Sequence, residues 1–335
     1  MVFRISVTVF SLFCLYVGTV SAQGCSDPGI CTSGALNSAN TQDSTSKINF
    51  TEANMEALLN ASVASERHKI GVDLVYGIGV KKTNIYNGVL RYSARLKERL
   101  LVNVKLPFTY VQGDIGTTSG TGDLTLTMQN TLKSGNNISL AYTLGAIIPT
   151  NNGNLKYDGN AMPMVYQTSL GLFSALGGLS IRYKLWSAVI GYQHSFGSNS
   201  NEFVRKLISV DSSSAQFESQ FDRKHYESSR HLSRGADLIL RLERGFQFNK
   251  LSVVLGVLPI LRLSNSEIEL EPGMVEEVDG SDGLTLNITS GASYQLNKST
   301  FIRLNMGGPV ITREKAPDGL FRDSVFILGV GMKIW

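Results

Sequence analysis

Once its first residues are set aside, the 335-residue chain has no long apolar run. No later stretch reaches the ~18 consecutive apolar residues that a membrane-spanning helix needs. Cysteine is nearly absent, with three residues, and proline is scarce, with eight. So few cysteines exclude a disulfide-dense scaffold or a multi-cysteine metal module. A strong charge bias is missing too. Net charge is +4, far from a nucleic-acid-binding footprint. Mean hydropathy is +0.02, which looks soluble, but an average hides any alternation of apolar and polar residues.

What is present begins with "MVFRISVTVFSLFCLYVGTVSAQ". Arg4 gives a short basic start, Ile5 to Val17 an apolar stretch, and "VSA" a small-residue cleavage site after Ala22. Residues 1–22 read as a secretory signal peptide, because the apolar run is short and lacks a stop-transfer flank. Its removal takes Cys14 away and leaves Cys25 and Cys31 in "GCSDPGIC". An even count in an oxidising compartment reads as a disulfide across a small Pro28-Gly29 turn. A lipidated Cys25 would want a Leu-like residue three places earlier, where Ala22 stands, and a metal site has no further ligands nearby.

Residues 32–46 are rich in Ser, Asn and Thr and read as linker. "TEANMEALLNASVASER" (Thr51 to Arg67) has a capping Thr51 and puts Met55, Leu58, Leu59 and Ser62 on one helical face. One short helix is expected there. Residues 23–67 thus form an N-terminal extension, either hanging into the periplasm as an adaptor or folding into the body as a plug.

From residue 68 to 335 the period is two. Apolar faces recur as Ile70-Val72-Leu74-Tyr76-Ile78-Val80, Leu90-Tyr92-Ala94-Leu96 and Val102-Val104-Leu106-Phe108-Tyr110, and nine further stretches follow the same rule. The last is "SVFILGVGMKIW", with Phe326, Leu328, Val330, Met332 and Ile334 on one face. About twelve strands result. Their connections alternate between very short turns (Glu98, 134–136, 184–185, 249–250, 297–298) and long loops (112–120, 149–169, 197–231, 264–282, 312–322). Lys81–Tyr86 is intermediate. Such alternation is expected of an antiparallel transmembrane β-barrel, with periplasmic turns at one rim and extracellular loops at the other. The apolar faces then meet lipid, and the sheet must close because an open edge cannot be hydrated in a bilayer. A soluble barrel or sandwich would bury these faces as a core. Against that, the opposite faces mix small, polar and charged residues, as a wet lumen would.

A signal peptide, alternating strands and a terminal aromatic residue together resemble the outer-membrane β-barrels of Gram-negative bacteria. The resemblance implies partners in outer-membrane lipid and the barrel-assembly machinery, which would read Gly331, Ile334 and Trp335 as an assembly signal. Lys333 departs from the usual aromatic or aliphatic residue two places before the end. A narrower resemblance covers Leu101 to about Phe196. "VNVKLPFTYVQGD", "SGTGDLTLTMQNTL" and "SLAYTLGAIIPTNNGN" are similar to the meta-pathway phenol-degradation family, akin to long-chain fatty-acid channels. Gly122, Asp123, Leu124, Pro149 and Thr150 occupy its hallmark positions. This resemblance implies a channel or transporter for small hydrophobic or aromatic solutes.

The inward charges Arg91, Arg95, Lys105, Arg182, Asp237, Arg241 and Glu243 admit two compatible readings: a ladder that fills the lumen and ties strands together, or a constriction that sets charge selectivity. No cofactor, metal site or nucleic-acid partner is expected. His225 and His231 have no metal-ligand spacing, and no Gly-x-Ser-x-Gly elbow occurs. His194 and Ser195 are adjacent on a strand and so face opposite ways; an enzyme is not expected. The rival reading is a barrel that transports nothing and acts as an adhesin or a partner-binding or assembly protein, motivated by the long 197–231 loop and the N-terminal extension.

Overall fold

The computed structural model describes residues 67–135, 137–205, 223–297, 299–320 and 322–334. The signal peptide, the Cys25–Cys31 turn, the 51–67 helix up to residue 66, and Trp335 lie outside the described residues.

Twelve strands wrap into one closed antiparallel sheet. They are β1 (His68–Gly79), β2 (Asn84–Lys97), β3 (Leu100–Gly113), β5 (Leu124–Ser134), β6 (Ile138–Ile148) and β9 (Phe173–Tyr183). They continue as β10 (Trp186–Phe196), β11 (Asp237–Phe248), β12 (Leu251–Arg262), β15 (Gly283–Gln295), β16 (Thr300–Ile311) and β17 (Arg322–Ile334). Five short strands decorate the long-loop rim. β4 (Gly116–Thr121) extends β3, while β7 (Lys156–Tyr157) with β8 (Asn160–Ala161), and β13 (Ser266–Glu271) with β14 (Met274–Val278), form loop hairpins. β1 closes the barrel against β17, from His68↔Ile334 up to Gly79↔Arg322.

The alternation in the sequence is the alternation of the wall. Leu74, Leu90, Phe108, Leu144, Ile190 and Leu328 stand exposed on the outside, while Asp73, Val89, Thr109, Thr143, Val189 and Ile327 on neighbouring positions are buried inside. In water that outer face would be untenable on every strand at once; in lipid it is the stable face. Aromatic residues collect at its two edges. Tyr76, Tyr86, Tyr110, Phe173 and Phe196 lie toward the long loops, and Tyr183, Trp186, Phe248 and Tyr294 beside the short turns. Phe173 to Tyr183 is ten residue steps along β9, about 34 Å of strand. At a tilt of about 40° this gives a band about 26 Å tall, the height of a transmembrane barrel's apolar belt.

The short turns use left-handed residues, with φ 52° at Lys184 and at Asn249, as tight hairpins between twisted strands require. Arg244 lays its guanidinium 5.2 Å from the Trp186 ring and 5.4 Å from Phe246, which suits the bilayer interface.

The long loops are not open tails. Met162, Val165, Tyr166, Phe203 and Tyr226 pack with Ile85, Val111 and Ile115 from β2, β3 and their rim. Met164, Leu170, Leu172, Leu232, Ile268, Val278 and Leu320 form a second cluster from four loops. Amide side chains satisfy the loop backbone, as burial demands. Asn199 donates to the Leu170 carbonyl at 3.0 Å and accepts from the Leu232 N–H at 3.0 Å. Asn201 donates to Gly153 at 2.8 Å and to Met162 at 3.0 Å. The result is a folded cap on the long-loop mouth. Burial pushes the Tyr226 hydroxyl well above its ordinary pKa, so it stays protonated beside Tyr166 at 3.2 Å.

Two boundaries differ from the sequence pattern. Val80 leaves the sheet for a tight turn, with Lys81 and Lys82 at φ 53° and 56°, so the first connection is shorter than the alternation suggests. Residues 112–120, expected as loop, are largely a hairpin of β3 with β4; they continue the ladder beyond the lipid belt, with Ser119 exposed on one face and Thr118 buried on the other, where its hydroxyl donates to the Tyr166 carbonyl.

Candidate functional site

The inner face of the barrel divides into three zones. The first, in or next to the short-turn half, is basic. Lys69, Arg91, Arg95, Lys105, Arg182, Arg241, Arg303 and Lys333 all have inward parity there, against Asp73 and Glu243. Six of the seven inward charges expected from the sequence are therefore in this zone. Arg91 is opposite Lys105 in the β2–β3 ladder, and Lys69 is opposite Lys333 across the closing seam.

Asp73 organises the seam side. Arg91 reaches it with Nε 2.6 Å from Oδ2 and Nη2 2.9 Å from Oδ1. Arg303 reaches it from the other side, Nε donating to Oδ1 at 3.3 Å and Nη2 lying 2.5 Å from Oδ2. One carboxylate thus bridges β2, β1 and β16, passing over β17. The crossing is possible because Gly329 carries no side chain: a Cβ there would run into the Asp73 carboxylate and come within 2.7 Å of Arg303 Nε. Two residues along the strand, Gly331 makes room in the same way for the buried Phe301 ring. Gly331 was singled out as part of an assembly signal; its local role is to accept that ring. Ile334 pairs with His68 at the foot of the seam. On the far wall Arg241 Nε donates to Glu243 Oε1 at 2.7 Å.

The second zone, above the first, is apolar. Val75, Val89, Val325 and Ile327 cluster on the seam wall. Ile147, Leu176, Val189, Ile239, Leu258 and Ile260 cluster on the wall formed by β6 and β9 to β12. The sequence pattern points to inner faces of small, polar and charged residues, and these apolar patches interrupt them. These positions were overlooked because strands apolar on both faces carry no alternation.

The third zone is a buried charge network where the barrel meets the cap. Asp237, expected among the lumen charges, belongs here and not with Arg241 and Glu243. Arg262 Nε lies 2.7 Å from Asp237 Oδ1, and Arg262 Nη2 2.8 Å from Asp318 Oδ2. Arg234 contacts Asp237 at 2.6 Å and Asp318 at 3.0 Å, and Arg313 contacts Asp318 at 3.4 Å. All five residues are at least nine-tenths buried. Burial alone would raise the Asp318 pKa, but Arg262, Arg313 and Arg234 hold it well below the carboxylate range. Burial, with Arg262 nearby, lowers Arg313 to about 10. Buried ion networks of this kind contribute little net stability, yet breaking one member is costly. The network pins the 312–320 loop and the start of β11 to β12.

The "GDL…PT" residues also turn out to be a clasp. Asp123 is buried, accepts from the Ser169 hydroxyl and takes the Leu170 N–H at 3.1 Å. The Thr150 hydroxyl meets the carbonyls of Thr121 and Gly122 at 3.0 and 3.1 Å. Gly122 is forced to be small by Pro107 and the Thr168 carbonyl. These residues tie the 149–172 loop over the mouth.

Among the described residues no group of His, Cys, Asp or Glu could hold a metal ion. His231 Nδ1 lies 3.0 Å from Glu269. His194 is on the outer face between Tyr192 and Phe196, whereas Ser195 points inward to Ser174 at 2.8 Å; the pair cannot act on one substrate.

No family model and no curated protein matches the chain. Solved structures do. A COG4313 outer membrane channel from Pseudomonas putida F1 aligns with a TM-score of 0.57 and 17% identity, covering 80% of this chain and 96% of that one. The NanC porin aligns at TM-score 0.44 with 9% identity, over 79% and 100%. The CymD monoaromatic hydrocarbon channel aligns at 0.37 with 9% identity, over 86% and 94%. The first of these likenesses, at 17% identity, shows the fold: an outer-membrane-type β-barrel. The narrower phenol-degradation resemblance rests on its motif residues alone.

Proposed function

We propose that this protein is an outer-membrane channel for small solutes, with a lumen that favours anions and accommodates an apolar body. The observation that carries it is the inner face: a basic short-turn half below two apolar patches, inside a barrel whose outer face fits lipid. Rings of like charge set ion selectivity in pores, and the basic excess here would repel cations. The likeness to a solved outer membrane channel supports the same reading, as does the phenol-degradation resemblance for an aromatic or otherwise hydrophobic solute. Insertion through the barrel-assembly machinery, guided by the C-terminal strand and Trp335, belongs to this proposal.

Planar-bilayer recording across a salt gradient tests it. The reversal potential should take the sign of anion preference. Arg91→Gln combined with Lys105→Gln and Arg182→Gln should shift it toward zero. A barrel sealed to all ions and solutes in every variant would refute transport and favour a surface adhesin or binding barrel.

A further inference from the structure

We infer that the outer wall beside the closing seam holds one phosphorylated glycolipid of the outer leaflet, its acyl chain in a notch at Gly88 and its phosphate on Lys81 and Lys82. The notch comes first. β3, β2, β1 and β17 lie side by side here, and their outward residues form level rows. One row runs Phe108, Gly88, Leu74, Leu328. Gly88 is the gap in it: a Cβ added there would meet nothing within 4 Å. Leu74, opposite it on β1, is 61% exposed. An open groove of about 530 Å³ results on the lipid side of the wall. An unfilled gap forfeits dispersion contacts, and a methylene chain is what a bilayer offers to fill it.

The rows above continue the pattern. Two residues higher, Tyr110, Tyr86, Tyr76 and Phe326 form an aromatic row. Ring centroids are 5.2 Å apart for Tyr76 and Tyr86, and 6.2 Å for Tyr86 and Tyr110. Such rows mark the membrane interface of a barrel. The next row is polar, with Gln112 opposite Asn84. The Tyr76 hydroxyl donates to Asn84 Oδ1 at 2.8 Å, which leaves the Asn84 amide nitrogen to donate to a sugar oxygen. Lys81 and Lys82 top the column on the β1–β2 turn. Both are exposed and, among the described residues, neither is in an ion pair. No acidic residue has outward parity on β1, β2 or β3. The Thr83 N–H closes this turn on the Val80 carbonyl at 3.1 Å, with φ 53° and 56° at the two lysines. Asn-Gly is the usual filling of such a turn. Lysine is uncommon in that conformation, and what it adds is charge.

The dimensions fit one lipid. Gly88 to Lys82 is six residue steps, about 20 Å of strand, or about 15 Å of height at a tilt of about 40°. That is one leaflet's share of a hydrocarbon core of about 30 Å. Charge, hydrogen-bond donor, aromatic ring and apolar notch follow one another in the order of an anionic lipid from headgroup to chain end. The long-loop rim of such a barrel faces the outside, where the leaflet carries lipid A, a phosphorylated glycolipid. Two adjacent ammonium groups suit its phosphate, and the amide row suits its sugars.

Native mass spectrometry of the full mature protein in detergent, titrated with lipid A, tests the site. The unaltered barrel should retain one lipid A. Gly88→Leu fills the notch and should weaken binding about tenfold. Lys81→Asn/Lys82→Gly removes both charges while giving the turn its preferred residues, and should also weaken binding about tenfold. Lys156→Gln, an exposed cation on another loop, should change nothing. Lipid A stripped of its phosphates should bind the unaltered protein as weakly as intact lipid A binds the double lysine variant, a comparison that needs no altered barrel to fold. Full affinity in either variant, an equal loss in Lys156→Gln, or full affinity of the stripped lipid overturns the site. Phosphatidylglycerol bound as tightly as lipid A overturns the glycolipid assignment. The outcome is separate from the channel reading, since a barrel sealed to every solute would bind the same lipid.

Discussion

Replacing Asp73 by Asn should weaken the barrel at its closing seam. The carboxylate accepts from two guanidiniums, Arg91 on β2 and Arg303 on β16, so the amide leaves two cations facing each other without their shared anion. Removing one member of a fully buried pair costs about 3–5 kcal/mol. Here the arginine side chains keep 13% and 18% of their exposure, and water screens part of that loss. An expected cost of about 2–3 kcal/mol follows. Equilibrium urea unfolding in lipid vesicles, with the slope unchanged and the midpoint lowered, would read it. A variant with Asp73→Leu, Arg91→Met and Arg303→Met should recover most of the loss, because no charge is then left buried. A destabilisation below about 0.5 kcal/mol for Asp73→Asn, the level of an ordinary surface change, would refute the account. So would an equal loss in the triple variant, since the cost would then come from packing.

Three further outcomes are expected. Asp318 has a folded pKa depressed below its unfolded value, so the stability it lends is complete above about pH 4 and is lost as pH falls further, by about 1.4 kcal/mol per unit at most. Pepsin sensitivity of the cap loops should therefore rise steeply below pH 4 in the unaltered protein and show a flatter profile in Asp318→Asn; matching profiles would count against the network. Gly329→Val should prevent the Asp73–Arg303 contact and lower the heat stability of the folded band on gels, whereas Gly88→Val, where an added Cβ meets nothing within 4 Å, should not. Deleting Trp335 should slow insertion by the assembly machinery while leaving refolding in detergent unchanged, and equal insertion of the shortened chain would refute its role as a signal.

The barrel was legible because a membrane wall forces strict period two. Leu328 must face out if Gly329 faces in, and a one-residue slip would send Asp73 or Arg303 into lipid. That constraint writes register into sequence, and the short-turn rim follows from it. Asp73 and Arg303 obey the same parity and could have been read as lumen residues from β1 and β16. What parity does not reveal is pairing across the seam, because β1 and β17 lie at opposite ends of the barrel sequence, pairing His68 with Ile334 and Gly79 with Arg322, and meet only on closure. The inner apolar patches were hidden for a different reason. Val89, Ile239 and Leu258 sit on strands that are apolar on both faces, and periodicity is silent there.

The cap was the least legible part, and the case of Asp237 shows why. By parity it shares an inner face with Arg241 and Glu243, and the sequence groups the three together. In the barrel, however, β11 runs from the cap downward, so four residues along the strand separate a rim position from a mid-wall one by about 13 Å. At the rim, Asp237 meets Arg262 from β12 and Arg234 from its own loop. Through them it is linked to Asp318, a loop residue with no periodic context at all. Strand pattern fixes which face a charge occupies. Its partners are chosen by height and by loops, so two charges on one face, Asp237 and Glu243, end in different networks: one with Arg234 and Arg262 at the cap, the other with Arg241 on the wall below it.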